Sequence, residues 1–174
     1  TVGTINTLIG GLSGDALTTG DSNVAVGYVA LSSDTQGDRN VAIGAGALKT
    51  QNFTTATEVY NIAIGYDAGA SITTGINNTV IGGLAADAMT TGFNNTFVGA
   101  GVASAGVITG GRNVAIGTAT MSQLTSGSNN CAMGEDAAAA LTTGSNNLFL
   151  GHDTGRSGSP GGQFAASSNT IVLG

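Results

Sequence analysis

An asparagine followed four residues later by glycine recurs along this chain at a nearly fixed interval, and no other feature restricts its fold as tightly. The anchors are Asn6, Asn23, Asn40, Asn61, Asn78, Asn95, Asn113, Asn130 and Asn147, separated by 17, 17, 21, 17, 17, 18, 17 and 17 residues, with a distorted tenth copy at Asn169. Each unit reads Asn, three small or apolar residues, Gly, then a variable stretch rich in Ala, then an aliphatic residue before Thr-Thr-Gly. The cleanest copy is "NCAMGEDAAAALTTGSN" at 130–146, and the closing aliphatic falls at Leu17, Ile72, Met89, Leu124 and Leu141. Self-similarity at a fixed short period marks an architecture of stacked supersecondary units.

The residues between Asn and Gly are "VAV", "VAI", "IAI", "TVI", "TFV", "VAI", "CAM" and "LFL" from the second unit onward. These aliphatic, often β-branched triplets favour strands. No charge falls inside them, so both strand faces are apolar, as in a parallel sheet covered front and back. Strand side chains alternate, so the outer pair is expected to face the unit's own variable part. The middle residues, Leu8, Ala25, Ala42, Ala63, Val80, Phe97, Ala115, Ala132 and Phe149, are then expected to face a second layer, in another chain or across an axis.

Gly27, Gly44, Gly65, Gly82, Gly99, Gly117, Gly134 and Gly151 are placed to end each strand with a positive φ or a missing Cβ. The "TTG" glycines mark the opposite corner. The anchor asparagine is read in two ways, as a rung of a side-chain amide ladder or as a turn residue tolerant of left-handed backbone. "EDAAAAL" at 135–141 contains good helix formers. A helix about 10 Å across cannot follow strands stacked about 4.8 Å apart without strong curvature, so a bent turn is expected there. The chain is thus expected to be mainly β: one repeat domain over 1–174, a parallel β-solenoid or β-roll of 17-residue repeats with one short strand per unit. Ten such coils would extend about 48 Å. The longer steps, at every third copy, are read as loop insertions; the alternative is three units per layer around an internal threefold.

Composition removes several function classes. Charged residues make up 8 % of the chain, and ten acidic residues face four basic ones, Arg39, Lys49, Arg112 and Arg156. There is no basic stripe to meet phosphates, so nucleic acid is not an expected partner. Apolar runs are far shorter than the roughly 20 residues of a spanning helix. At 41 % hydrophobic the chain is not a disordered, highly charged segment. Cys131 allows no internal disulfide and is read as a small core hydrophobe. Beginning at "TVGTINT", the sequence is expected to be a fragment or processed product of something longer.

The phrases "TTGSNNLFLG", "TTGFNNTFVG" and "GDRNVAIGAGAL" resemble the repeat of tail-fibre and related surface-fibre proteins of phages and bacteria. "NVAIG" is similar to the head repeat of trimeric autotransporter adhesins, although that repeat is usually shorter than 17 residues. The resemblance covers the nine units. It implies parallel β-roll coils, a homotrimer with its sheets facing the axis, left-handed winding in the adhesin case, and a shaft or attachment role at a virion or cell surface. It supplies no catalytic residue.

The residues expected to carry the structure are therefore those of the strand pentads: Asn40, Ala42, Gly44, Asn95, Phe97, Gly99, Asn113, Ala115, Gly117, Asn147, Phe149 and Gly151. No catalytic residue, metal site or cofactor is assigned. His152 and Asp153 lack a nucleophile that spacing nominates and are read as a solvated loop. A polysaccharide-degrading, tailspike-like enzyme would need two carboxylates across a cleft, yet the acids, Asp15, Asp34, Glu58, Asp87 and Glu135 among them, lie scattered outside the pentads. Repeat-type calcium binding would need an Asp in every unit, and only "GDAL" at 14–17 and "ADAM" at 86–89 match in position. The Thr-Thr pairs raise an ice-binding alternative, to which one Thr of each pair could contribute. Receptor contact, with a host-surface carbohydrate or protein, is assigned to Phe53, Tyr60, Phe93 and Phe164, whereas Tyr28 and Tyr66 are expected to pack over the coil edge. The expected function is a structural and adhesive fibre segment, extracellular, self-associating as a homotrimer or end to end, without membrane insertion.

Overall fold

In the computed structural model of the protein, which describes residues 3–156 and 164–174, each unit makes one coil of a parallel β-solenoid. The strands are β1 (Thr7–Ile9), β2 (Val24–Val26), β3 (Gly37–Asp38), β4 (Val41–Ile43), β5 (Thr57–Glu58), β6 (Ile62–Ile64), β7 (Thr79–Ile81), β8 (Thr96–Val98), β9 (Val114–Ile116), β10 (Cys131–Met133), β11 (Leu148–Leu150) and β12 (Ile171–Leu173). Ten of them form one parallel sheet in the order β1-β2-β4-β6-β7-β8-β9-β10-β11-β12, and β3 pairs with β5 in a two-stranded strip. Consecutive units pair directly, so there is one unit per coil and no internal threefold. The register holds across the 21-residue step, Val41 pairing with Ile62, and across the 18-residue step, Thr96 pairing with Val114.

The last strand shifts the repeat by one residue. Ile171 pairs with Leu148, and the Thr170 N–H donates to Asn147 Oδ1 at 2.9 Å, so Thr170 holds the rung expected of Asn169. Asn169, with φ 58°, instead matches Asn146, with φ 61°.

The two faces of the sheet are the reverse of the sequence expectation. The middle residues, Ala25, Ala42, Ala63, Val80, Phe97, Ala115, Ala132 and Phe149, are wholly buried inside their own coil. The outer pair points away from it, and Ile9, Ile43, Ile116 and Met133 are exposed. The reason is parity: Asn and the middle residue lie two apart and share a face, and the Asn amide has to reach inward to close the coil. Cys131 lies in the outward set, half-buried, and is not a core residue.

Inside, each coil balances its own volume. In three coils whose strand contributes Ala the turn contributes a large side chain, Ala25 with Leu31, Ala42 with Leu48 and Ala115 with Met121, while in the eighth, where Ala132 is matched by Ala138, Leu141 is the large buried side chain. Where the strand contributes Phe97 the turn offers Ala103, and opposite Phe149 it offers Gly155, where an added Cβ would sit 2.5 Å from the Phe149 ring. Gly69, opposite Ala63, leaves its space to Ile72. Such pairing of large with small fills a thin core at native density.

Among the described residues the turns contain no helix. Each strand-ending glycine has φ between 118° and 146°. Left-handed residues then alternate with right-handed ones, at Val29 and Leu31 in the second coil and at Asp136 and Ala138 in the eighth. The N–H groups of the two left-handed residues aim at opposite neighbours, while in the second coil the Ala30 N–H between them bonds back to Gly27 O at 3.4 Å. Val29 N donates to Gly11 O of the preceding coil at 3.0 Å, and Leu31 N to Ala47 O of the following one at 2.9 Å. Coil-to-coil bonding thus continues through the turn and satisfies backbone groups that a helix would have bonded internally.

Candidate functional site

Three surfaces run the length of the solenoid: an inner amide ladder, the outward sheet face and the exposed rim beyond the strand-ending glycines. The ladder is built by the anchor asparagines, of which Asn23, Asn40, Asn61, Asn78 and Asn113 are fully buried. In the seventh coil, Asn113 Nδ2 donates to Asn95 Oδ1 at 3.1 Å and to Gly127 O of its own coil at 3.0 Å. Its Oδ1 accepts the Asn130 N–H and Nδ2, each at 3.0 Å. The amides of Asn78, Asn113, Asn130 and Asn147 each close their own coil in this way and tie it to both neighbours. The left-handed role belongs to the residue before the anchor, Asn77, Asn94, Asn129 and Asn146, with φ between 55° and 61°. The doublet "NN" thus serves both readings of the recurrent asparagine, one at each residue.

The ladder is modified at the first insertion. Asp34 and Gln51 replace the closing aliphatic in two successive units and bury together. Gln51 Nε2 donates to Asp34 Oδ2 at 2.6 Å, Gly37 N and Phe53 N donate to Asp34 Oδ1 at 3.1 and 3.0 Å, and Gln51 Oε1 accepts Asn61 Nδ2 at 2.8 Å. These bonds occupy the buried carboxylate of Asp34.

The outward face consists of two side-chain columns along the sheet: Thr7, Val24, Val41, Ile62, Thr79, Thr96, Val114, Cys131, Leu148 and Ile171 in one, and Ile9, Val26, Ile43, Ile64, Ile81, Val98, Ile116, Met133, Leu150 and Leu173 in the other. Neither contains a charge. The four cations lie elsewhere and link adjacent coils: Arg39 with Glu58, Lys49 with Asp67 at 3.0 Å, Arg156 with Asp136 and Asp153 at 2.8 Å each, and Arg112 over the Phe93 ring at 5.2 Å. The Arg39 guanidinium, followed by the Tyr60 hydroxyl, holds the Glu58 carboxyl below its ordinary range.

The aromatic candidates separate. Phe53 is buried, whereas Phe164 is half-buried and packs edge-on to Phe149, with centroids 5.9 Å apart. Phe53 is itself a core residue and Phe164 packs against the core cluster. Phe93 lies half-buried under Arg112. Tyr60 is exposed, its hydroxyl donating to Glu58 Oε2 at 3.0 Å and its ring beneath Arg39. Tyr28 and Tyr66, expected to pack, are each 62 % exposed.

His152 is exposed on a turn, its Nδ1 3.4 Å from Asp153 Oδ2, and Asp153 also accepts from Arg156. The first threonine of several Thr-Thr pairs donates to a carbonyl of the next coil, as Thr18 does to Thr35 O at 3.0 Å and Thr142 to Ala165 O at 2.8 Å. Those hydroxyls are engaged by the fold. No group of three or more His, Cys, Asp or Glu able to hold a metal ion occurs among the described residues. Among them, too, no helix is long and apolar enough to cross a membrane.

One acid is at odds with its surroundings. Burial, with a smaller contribution from Asp67, pushes the Asp87 carboxyl above its ordinary range, and its Oδ1 is shielded without a hydrogen-bond partner among the described residues. A raised folded-state pKa means that the stabilising contribution is present below the unfolded pKa, about 4, and is lost as pH rises through the folded value. Asp87→Ser is therefore expected to melt above the parent at neutral pH, with the gap closing as the pH falls toward about 4. Thermal melts of both proteins across that range measure it.

The arrangement defines a parallel β-solenoid with a continuous uncharged sheet face. Compared with known proteins, the chain matches no family model, no curated protein and no solved structure.

Proposed function

We propose that this chain is a structural fibre segment, a stiff section of an extracellular shaft on a virion or cell surface, that self-associates as a homotrimer through its outward sheet face. One observation carries the reading: two outward positions on each of ten strands, mostly aliphatic and none charged, on a chain of net charge −6. Scattered exposed aliphatics are ordinary, but a contiguous apolar band on a soluble surface marks an interaction site. A second copy suits it, because identical ladders repeat at the same strand spacing and meet without charge repulsion. Nearest-neighbour stacking of coils supplies the stiffness such a shaft needs.

Sedimentation equilibrium of the chain tests this reading, with threefold mass expected. Ile43→Asp and Ile116→Asp, at positions 37 % and 36 % exposed within one chain, should return the protein to a monomer without altering its circular dichroism. Cys131 faces the same way, so a short bis-maleimide should join copies packed in parallel register. A parent that stays monomeric at every concentration would overturn the proposal.

A further inference from the structure

The residues that follow the strand-ending glycines form an exposed column, Gly11, Tyr28, Ala45, Tyr66, Gly83 and Ala100 in the first six coils. Their carbonyls are clamped in order by Val29, Gly46, Asp67, Leu84, Gly101 and Ala119 N–H groups at 2.8 to 3.0 Å. The backbone carrying the two tyrosines is therefore fixed at both rungs. Tyr28 lies over Gly11, where an added Cβ would be 3.5 Å from its ring, while Gly83 beyond Tyr66 faces open space. Only Ala45 stands between the rings. Both are 62 % exposed and their hydroxyls have no hydrogen-bond partner among the described residues. Two strand spacings separate them, about 9.6 Å.

We propose that Tyr28 and Tyr66 form a two-ring platform for a neutral β-1,4-linked polysaccharide lying along the solenoid axis. A tyrosine face takes the C–H face of a pyranose while its hydroxyl serves the sugar's own hydroxyls, the amphipathic use to which exposed rings are suited. In a two-fold β-1,4 ribbon the same sugar face returns once per disaccharide, an interval close to two strand spacings, so both rings engage one straight chain. The small neighbours Gly11, Ala45, Gly83 and Ala100 leave the intervening sugars clear. No charge occurs in this part of the column, and a net charge of −6 disfavours polyanionic glycans. The platform gives the fibre reading an adhesive ligand. It rests on that reading for its setting alone, since glycan retention and sedimentation can fail independently.

The experiment is retention of the full chain on microcrystalline cellulose and on chitin, with titration of cellohexaose and chitohexaose followed by tyrosine fluorescence, the chain having no tryptophan. Dextran sulfate is the charged control. Retention on at least one neutral polymer is expected, and the two arms decide between glucose and N-acetylglucosamine. Tyr28→Ala and Tyr66→Ala should each weaken binding roughly tenfold, the loss of one well-placed aromatic anchor, and the double variant should abolish it. Tyr60→Ala should bind as the parent does, its ring being covered by Arg39 and its hydroxyl taken by Glu58. No retention on either neutral polymer, or unchanged binding by the double variant, would overturn the proposal. So would a double variant whose main defect is a changed sedimentation coefficient, since the rings would then serve a chain-to-chain contact.

Discussion

Gly117→Ala is expected to split the stack, whereas Gly83→Ala, one position beyond the same corner two coils earlier, is expected to be tolerated. At Gly117 φ is 134°, and an added Cβ would lie 2.6 Å from the carbonyl oxygen of Gly134, 2.8 Å from its carbon and 2.8 Å from Thr120 Oγ1. The glycine that ends each strand packs against its counterpart in the next coil, so the collision is with backbone and cannot be relieved by a rotamer change. A left-handed backbone hostile to alanine costs about 1–3 kcal/mol. Overpacking adds a similar amount, so about 2–6 kcal/mol is at stake. At Gly83 nothing lies within 4 Å of an added Cβ. There the loss of unfolded-chain freedom should stabilise by about 0.4–1 kcal/mol. Urea melts of the two variants beside the parent read both effects. In a stacked array the damaged coil should also divide the single transition into two, because each coil depends on its neighbours.

Asn113→Leu should be nearly as damaging. The side chain is close in bulk, but the substitution strands the Gly127 carbonyl, the Asn130 N–H and one proton of the Asn130 amide in a region closed to water. Unpaired buried groups cost about 1–3 kcal/mol each. A total of about 3 kcal/mol or more is expected by denaturant titration. Asn113→Asp is the sharper comparison: it keeps an acceptor for Asn130 but turns a carboxylate oxygen toward Asn95 Oδ1 and the Gly127 carbonyl, both acceptors. The variant should recover stability as the new carboxyl is protonated at low pH, a response Asn113→Leu lacks.

Much of this was legible in the sequence because the repeat carries its own punctuation. Anchor, triplet and glycine located every strand of the main sheet up to Asn147, and the strand-to-helix size mismatch removed a helix that "EDAAAAL" alone would suggest. The faces were not legible from apolarity, since both sides of each triplet are apolar and offer no contrast. The missing signal was parity: an amide that must bond inside drags the middle residue in with it. Asp34 and Gln51 could also have been read, since two successive units carry a polar residue where the others carry Leu, Ile or Met, and adjacent polar substitutions in one buried column imply a pair. The burial of Phe53 was not legible because an aromatic in a polar insertion resembles a grafted contact. In so thin a core it instead covers the coil from the side. Exposure of Tyr28 and Tyr66 had no sequence signal beyond the small residues beside them, which only the stacking of coils turns into one column.

The alternating turns have a mechanical consequence. Because N–H groups aim up and down at the corners as well as along the strands, bonds between neighbouring coils run parallel to the long axis around the perimeter. Tension applied along that axis stretches the bonds of a whole layer at once, so the rod is brittle and strong. Tension applied to a chain end peels the coil residue by residue, breaking few bonds at a time. A tether fastened broadly across the end of such a rod would hold against forces that unravel the same rod when it is gripped by a single strand.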